Sequence, residues 1–251
     1  MVNCETRIYE MLDNSIGYSL NTKLARGARF KLPVRKTRCD LILFDLDGTI
    51  SDPITGIARS INYALAALGF EEVSESRIAN FIGPPLDETF ATLCETESGQ
   101  LVDQLVFRYR ERFSAVGYSE NVLYPGVRGA LTDLYEKKLR LAICTSKRAD
   151  YARKILRMFQ LDGLFRFVDG GDVGVRKGQQ IARLLADGRI TGNAMMIGDR
   201  CVDLAAAHAS GLASAGVLWG YGSREELEGE NPSRLFGAPA EWRILADFAL
   251  G

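Results

Sequence analysis

The strongest constraint on this chain is a regular alternation of short apolar runs with amphipathic segments, which begins near Asp40. Within those segments, apolar residues recur three, four and seven positions apart, which is helical spacing. Strands that alternate with helices form a parallel sheet covered on both faces. The sequence therefore predicts an α/β fold with a Rossmann-like parallel core. The predicted strands are residues 41–44, 139–144, 165–168, 194–197 and 215–218, and the predicted helices include 127–138, 151–159 and 181–185.

One long interval, between the first and second predicted strands, interrupts this alternation. It contains two amphipathic helical runs, at residues 57–68 and 101–113. Because a crossover between parallel strands needs only about a dozen residues or somewhat more, we predict an inserted helical subdomain that is entered near Asp52 and left near Tyr124. The predicted organisation is an N-terminal extension of residues 1–38, a core of residues 39–52 and 124–251, and a helical insert of residues 53–123.

The charge of the chain is nearly balanced, with 31 Lys and Arg residues against 32 Asp and Glu residues. Proteins that bind nucleic acids or membrane surfaces usually carry a basic excess, and no apolar run approaches the roughly 18 residues of a membrane span. We therefore expect neither a nucleic-acid nor a membrane partner. Basic residues are concentrated in the extension of residues 1–38, which lacks the apolar region of a secretory signal.

The cysteine and histidine content limits the chemistry further. The five cysteines are scattered and form no CxxC pair, so we expect free thiols in a reducing, cytoplasmic compartment. His208 is the single histidine, which argues against a histidine-cluster metal site. Carboxylates and lysines must therefore carry most of any catalysis.

The most informative motif is an apolar strand that ends in two carboxylates, LILFDLDGT at residues 41–49. In an open α/β sheet, ligands bind beyond the carboxyl ends of the strands. Asp45 and Asp47 at such an end repel each other unless a cation or a substrate compensates them. Gly48 permits an unusual backbone angle and a close approach of amide groups to an anion. An ordinary strand-to-loop turn is the alternative interpretation.

A second predicted strand also ends in acidic residues, in the segment AMMIGDRCVD at residues 194–203. Asp199 follows the strand directly, and Asp203 lies at the start of a predicted helix, where a carboxylate is also favourable as a cap. Four carboxylates at two strand ends, without histidines, indicate a hard cation with oxygen ligands. We predict Mg²⁺, because it retains waters and is commonly shared with phosphate.

Two further motifs supply groups that suit a phosphoryl oxygen. The segment ICTSK at residues 143–147 ends a strand in the hydroxyls of Thr145 and Ser146, although such residues are also ordinary caps. Lys177 stands just before a predicted helix, where a lone lysine is commonly a solvated surface charge. The order of the motifs along the chain, DxDGT, TS, K and GDxxxD, favours a functional interpretation of both.

With these motifs in this order, the chain from about Asp40 onward resembles the haloacid dehalogenase-like superfamily of phosphatases. Within that superfamily it is similar to the phosphoglycolate phosphatase-like branch. Branch-like segments are FIGPPL at residues 81–86, YPGV at 124–127, TSK at 145–147 and GVLWGYG at 216–222. The resemblance implies that the helical insert is a small cap domain that closes over the active site.

The resemblance also implies a role for each motif residue. Asp45 would attack phosphorus and form an aspartyl-phosphate, while Asp47 would protonate the leaving alkoxide and then activate the hydrolytic water. Thr145 and Lys177 would neutralise the phosphoryl oxygens. Arg176 is a second candidate for the charge of Lys177, because the lysine motif is less regular than in other family members.

A metal site and a specificity region are implied in the same way. Mg²⁺ would be held by the carboxylates of Asp45 and Asp199 and by the backbone carbonyl of Asp47. Gly48, Ser146 and Asp203 would support the site. Gly83 and Pro84 would lie near the leaving group, and Arg59 would face a substrate carboxylate. A rigid turn at Pro84 and a solvated helix face at Arg59 are the alternatives.

The function implied is Mg²⁺-dependent hydrolysis of a phosphomonoester of a small metabolite, with 2-phosphoglycolate as the example that the family suggests. The expected partner is this small-molecule phosphate ester, and a homodimer is left open. A nucleotide 5'-phosphatase, a pyrophosphatase of the same superfamily and a non-catalytic binding protein on the same fold are the alternative functions.

Overall fold

The computed structural model describes residues 39–172 and 174–250 of the chain. Its strands are β1 (Leu41–Phe44), β2 (Ser51–Asp52), β3 (Val122–Leu123), β4 (Leu141–Arg148), β5 (Phe165–Gly171), β6 (Ala194–Gly198), β7 (Ala213–Val217) and β8 (Arg234–Phe236). Six of them form one sheet in the order β5-β4-β1-β6-β7-β8, and every neighbouring pair in it is parallel. The predicted parallel α/β fold is confirmed.

Helices cover both faces of this sheet. One face carries α5 (Val127–Glu136), α6 (Ala149–Met158) and α10 (Leu245–Leu250), and the other carries α7 (Lys177–Ala186) and α8 (Cys201–Ala209). α9 (Arg224–Gly229) lies in the connection from β7 to β8.

The central position of β1 in the sheet explains why every residue of this strand is apolar. Ile42 and Phe44 belong to the hydrophobic cluster on the α5 face, whereas Leu41 and Leu43 belong to the cluster on the α7 face. Successive side chains of a strand point to opposite faces, and all four side chains here are buried. A continuous apolar run is the pattern expected of a central parallel strand.

The segment between β2 and β3 forms a helical insert, which we call the cap. Its helices are α1 (Ile54–Ala67), α2 (Glu75–Ala79), α3 (Leu86–Leu93) and α4 (Gly99–Ala115). They pack around a hydrophobic cluster of their own, which includes Ile61, Phe90 and Phe113. The two connections to the core pair as antiparallel strands, with Ser51 opposite Leu123. This pairing lies at the limits predicted for the insert, residues 53 and 123.

Each predicted strand corresponds to a strand of the sheet, but several boundaries differ. Strand β4 continues to Arg148, four residues beyond the predicted end, and α7 begins at Lys177, the residue predicted to stand just before that helix. The short elements β2, β3, β8, α2 and α3 escaped prediction, because they depend on partners distant in the chain. The extension of residues 1–38 lies outside the described residues.

The described ranges, residues 39–172 and 174–250, contain no helix with both the length and the apolar character needed to cross a bilayer.

The α5 face of the core gives a test of the sheet packing. Phe44 is fully buried, with its ring centre 4.8 Å from that of Trp242, whereas Phe107 on α4 is 65% exposed. We expect Phe44→Ala to lower the free energy of unfolding by about 3–5 kcal/mol, because it leaves a cavity. Phe107→Ala, the matched control, should change it by less than about 0.5 kcal/mol. Urea unfolding measures both, and equal losses would contradict the packing described here.

Candidate active site

The carboxyl ends of three adjacent strands bring the motif residues together. The register of the parallel pairs aligns the ends of β1, β4 and β6. Asp45 follows β1, Thr145 lies near the end of β4, and Asp199 follows β6. Lys177 enters from the first residue of α7. The four motifs that are far apart in the sequence therefore meet at one edge of the sheet.

Lys177 lies at the centre of this group. Its Nζ is 2.8 Å from Asp45 Oδ1 and 2.5 Å from Asp203 Oδ1, and all three side chains are buried. Burial would lower the pKa of Lys177, but the charges of Asp203 and Asp45 outweigh it and raise that pKa. The neighbouring Arg176 points elsewhere and binds Glu88 of the cap at 2.9 Å. Of the two candidate cations, Lys177 is therefore the one that contacts the carboxylates.

Asp199 is fixed by the loops after β1 and β7. Thr49 Oγ1 donates to its Oδ1 at 3.0 Å, and the backbone N–H of Tyr221 donates to its Oδ2 at 2.9 Å. Gly48 has a φ of +83°, and a Cβ at this position would lie 2.1 Å from Asp199 Oδ2. A Cβ at Gly220 would lie 2.3 Å from Asp199 Cβ. Both glycines are required because their backbones press directly against this carboxylate.

The carboxylates of Asp45, Asp199 and Asp203 form a buried cluster in which one oxygen from each lies within 4.8 Å of the others. Burial and mutual repulsion raise the pKa of Asp203 to about 6 and raise that of Asp199 well above its usual value. Lys177 supplies one positive charge against three carboxylates. A divalent cation with a preference for oxygen ligands would compensate the rest, so the residues present fit Mg²⁺.

Asp47 lies apart from this cluster and faces a lysine that the sequence analysis did not single out. Its Oδ2 is 2.8 Å from Lys147 Nζ, and Nζ lies 4.5 Å from the centre of the Phe113 ring on α4. Burial raises the pKa of Asp47 despite the charge of Lys147. Lys147 follows the two strand-end hydroxyls directly, which was the one available signal, but its contact with the cap is a tertiary feature.

A buried glutamine anchors the strand that carries Thr145. Gln180 Nε2 on α7 donates to the backbone carbonyl of Thr145 at 3.1 Å and to Asp169 Oδ2 at 3.2 Å. Arg183 holds the same Asp169 carboxylate at 2.9 Å. Because Gln180 lies one helical turn after Lys177, this network fixes β4 and the start of α7 relative to each other.

A cavity lies between the cap and the strand ends. Asp45, Asp47, Thr145 and Ser146 line it from the core, and Gly83 and Pro84 line it from the cap, as do several apolar and aromatic side chains. These four core residues and two cap residues therefore face one space. Arg110 of α4 also lines it, although no sequence motif points to this residue.

Arg59 is not among the residues that line the cavity. Its side chain is 60% exposed, and its guanidinium binds Glu120 at 2.8 Å. Glu120 also binds Arg112 at 2.9 Å. The expectation that Arg59 faces a substrate carboxylate is therefore corrected: its position on α1 directs it to an acidic residue of the cap itself.

Besides the pair of Arg176 with Glu88, two further arginine contacts join the cap to the core. Arg200, between the two carboxylates of the GDxxxD motif, donates from Nη1 to the carbonyl of Ile82 at 2.5 Å. Arg110 binds Asp172, beyond the end of β5, at 2.6 Å. The Arg200 contact links the GDxxxD loop to the residue before Gly83, whereas the Arg110 contact joins α4 to the end of β5.

A family model described as haloacid dehalogenase-like hydrolase matches residues 42–217. This chain belongs to that family. The match begins in β1 and ends in β7, so it includes the cap and the DxDGT, TSK, lysine and GDxxxD motifs, and it ends within the GVLWGYG segment. The predicted family and the assignment of the chain as an enzyme are confirmed.

Curated relatives of this hydrolase carry different names. It is 39% identical to a 5'-nucleotidase of Pseudomonas aeruginosa, over 76% of this chain and 88% of that protein. It is 31% identical to a phosphoglycolate phosphatase of Haemophilus influenzae, over 80% of this chain and 95% of that protein. It is also 33% identical to the tyrosine-protein kinase PtkA of Mycobacterium tuberculosis, over 75% of this chain but only 65% of that protein.

Solved structures share the fold of the hydrolase. One, described as a predicted phosphatase from Clostridium acetobutylicum, superposes with a TM-score of 0.77 at 30% identity. The alignment covers 82% of this chain and 97% of that one.

The hydrolase should be more stable without metal when one of its clustered carboxylates is neutral. In Asp199→Asn, the amide oxygen accepts from the Tyr221 N–H and the amide nitrogen donates to Thr49, while the charge repulsion is lost. We expect the free energy of unfolding in EDTA to rise by about 1 kcal/mol or more. Urea unfolding in EDTA measures this rise.

Asp133→Asn, at an exposed position on α5, is the matched control and should change stability by less than about 0.5 kcal/mol. A clear loss of stability in Asp199→Asn would mean that the ionised Asp199 stabilises the metal-free protein.

Proposed function

We propose that this hydrolase is a Mg²⁺-dependent phosphomonoesterase that acts on small phosphorylated metabolites through an aspartyl-phosphate on Asp45. The observation that carries the proposal is the buried cluster of three carboxylates, two of which pair with Lys177, together with the cavity that Asp45 and Asp47 both line. A nucleophile, an acid and base, and cations for a phosphoryl group are all within one site.

Asp45 and Asp47 divide the first half-reaction. An Asp45 oxygen attacks phosphorus while the bond from phosphorus to the ester oxygen breaks. Asp47 gives its proton to the leaving alkoxide, and the burial that raises its pKa favours the protonated form needed for this step. Asp47 lines the cavity between core and cap, where the leaving group has room.

The second half-reaction reverses the role of Asp47. A water attacks the phosphorus of the aspartyl-phosphate, and Asp47 takes the proton that this water loses. The products are inorganic phosphate and the regenerated Asp45 carboxylate. Two displacements at the same phosphorus thus replace one difficult hydrolysis.

Lys177 and Thr145 bind the phosphoryl oxygens, on which negative charge grows during transfer. Mg²⁺, when bound, supplies positive charge that lets an anionic carboxylate approach an anionic phosphate. The residues that would hold it are Asp45 and Asp199 through their carboxylates and Asp47 through its backbone carbonyl. Asp203 supports this set.

The substrate class has two candidates. A 2-phosphoglycolate-like ester is supported by the likeness to phosphoglycolate phosphatases, and a nucleoside 5'-monophosphate is supported by the higher identity to a 5'-nucleotidase. Cys39, Cys94 and Cys144 are free thiols, which supports a reducing, cytoplasmic location for either reaction.

The direct test is phosphate release from a panel of 2-phosphoglycolate, nucleoside 5'-monophosphates, sugar phosphates and pyrophosphate. Release that needs Mg²⁺ and stops in EDTA is expected, and the best kcat/KM identifies the substrate class. No release from any compound by folded, Mg²⁺-loaded protein would overturn the proposal.

Replacing the nucleophile should abolish turnover. In Asp45→Asn the amide cannot form the phosphoenzyme, so we expect phosphate release to fall at least about a thousandfold. Asp133→Asn serves as the matched control and should retain wild-type turnover. Comparable activity in Asp45→Asn would exclude Asp45 as the nucleophile.

Replacing the acid and base should separate the two half-reactions. p-Nitrophenolate leaves without protonation, so Asp47→Asn should still form the phosphoenzyme from p-nitrophenyl phosphate but should hydrolyse it slowly. We expect a burst of about one p-nitrophenol per enzyme in stopped-flow absorbance, followed by little turnover. Steady turnover at the wild-type rate, without a burst, would contradict the role of Asp47 in the second step.

A further inference from the structure

Lys147 is a buried cation on the leaving-group side of the cavity. Its side chain is 6% exposed, and its Nζ lies 2.8 Å from Asp47 Oδ2 and 4.5 Å from the centre of the Phe113 ring. Its backbone N–H donates to Thr145 Oγ1 at 3.2 Å, which holds the residue beside the phosphoryl site. Lys147 therefore reaches from the core to the aromatic wall of the cap.

The contact with Asp47 determines what Lys147 meets during the reaction. As the proposed general acid, Asp47 must come within hydrogen-bond distance of the ester oxygen. The first atoms of the leaving group beyond that oxygen then lie close to the Lys147 ammonium. Lys177 contacts Asp45 and Asp203 instead, so the two lysines serve opposite sides of the scissile bond.

The other cations that line the cavity are bound to acids nearer its rim. Arg148 forms two hydrogen bonds of 2.6 Å to Asp150, and its side chain is 37% exposed. Arg110 binds Asp172, and its side chain is 31% exposed. Lys147 is the most buried of these three cations. A charge interacts more strongly with an opposite charge where water is excluded.

Apolar and aromatic side chains line the cavity that Lys147 also lines, and the Phe113 ring packs against its Nζ. Ile57 and Phe113 of the cap and Tyr151 of α6 line the same cavity. A neutral leaving group would gain only apolar contact with these residues, whereas an anionic leaving group would also gain an ion pair with Lys147.

We propose that Lys147 is a specificity-determining residue that binds an anionic group of the leaving alcohol, close to the ester oxygen. The preferred substrates are then phosphomonoesters of small hydroxy acids. This inference rests on the phosphatase function proposed above, and it favours a carboxylate-bearing leaving group over a nucleoside.

The test compares two substrates that differ in one charge, 2-phosphoglycolate and 2-hydroxyethyl phosphate, in the wild-type protein and in Lys147→Met. Loss of a charged hydrogen bond should lower kcat/KM for 2-phosphoglycolate at least about tenfold more than for 2-hydroxyethyl phosphate. Any effect of the variant on Asp47 acts on both substrates and cancels in this ratio. Lys147→Arg should restore part of the preference, because it keeps the charge.

Lys137→Met is the matched control, because Lys137 is exposed directly after α5 and is not among the residues that line the cavity. It should leave the substrate ratio unchanged. Thermal unfolding of each variant verifies that it is folded, and Lys147→Gln replaces Lys147→Met if the latter fails to fold.

Equal losses on both substrates would overturn the inference, since Lys147 would then act only through Asp47 or the phosphoryl group. A wild-type protein that hydrolyses nucleoside monophosphates but prefers neutral over anionic small esters would overturn it as well, while leaving the phosphatase function intact. Absence of hydrolysis with every ester would instead overturn the function itself.

Discussion

The ion pairs of Lys177 with Asp45 and Asp203 are the contacts around which the site is organised. Parallel strands β1 and β6 end side by side, so the carboxylates of Asp45 and Asp199 lie close together. Their burial makes this proximity of like charges energetically costly. Lys177 offsets part of the repulsion from the first position of α7. The remaining negative charge is what makes the site suited to a divalent cation.

The cap completes the cavity, because its apolar side chains line the side that faces the charged groups of the core. Strands β2 and β3 pair the two connections, and Arg200 ties the GDxxxD loop to the carbonyl of Ile82. Tyr221 joins the same regions, since its backbone N–H holds Asp199 while its hydroxyl donates to Asp52 in β2. The position of the cap and the geometry of the acidic cluster are therefore mechanically linked.

Relatives of this hydrolase are named as a nucleotidase, a phosphoglycolate phosphatase and a kinase, which is consistent with one fold hosting several activities. In the function proposed above, the core carries the chemistry of phosphorus, and the groups proposed to contact the leaving alcohol lie at the boundary between core and cap. Differences in substrate within the family are then expected at positions such as Lys147 and Arg110 rather than in the carboxylate motifs.

The sequence by itself determined the parallel core, its five main strands and the residues at their carboxyl ends, because each rests on a local pattern: an apolar run followed by Asp45, Thr145 or Asp199. Only the tertiary structure decided that Lys177 contacts the carboxylates while Arg176 does not, and that Arg59 turns to Glu120. Arg176 and Lys177 carry the same charge at adjacent positions, so the sequence does not distinguish them. The backbone directs the two side chains to different partners. Lys147 is the clearest case, since its proposed role depends on contacts with Asp47 and with the Phe113 ring of the cap, both distant in the chain.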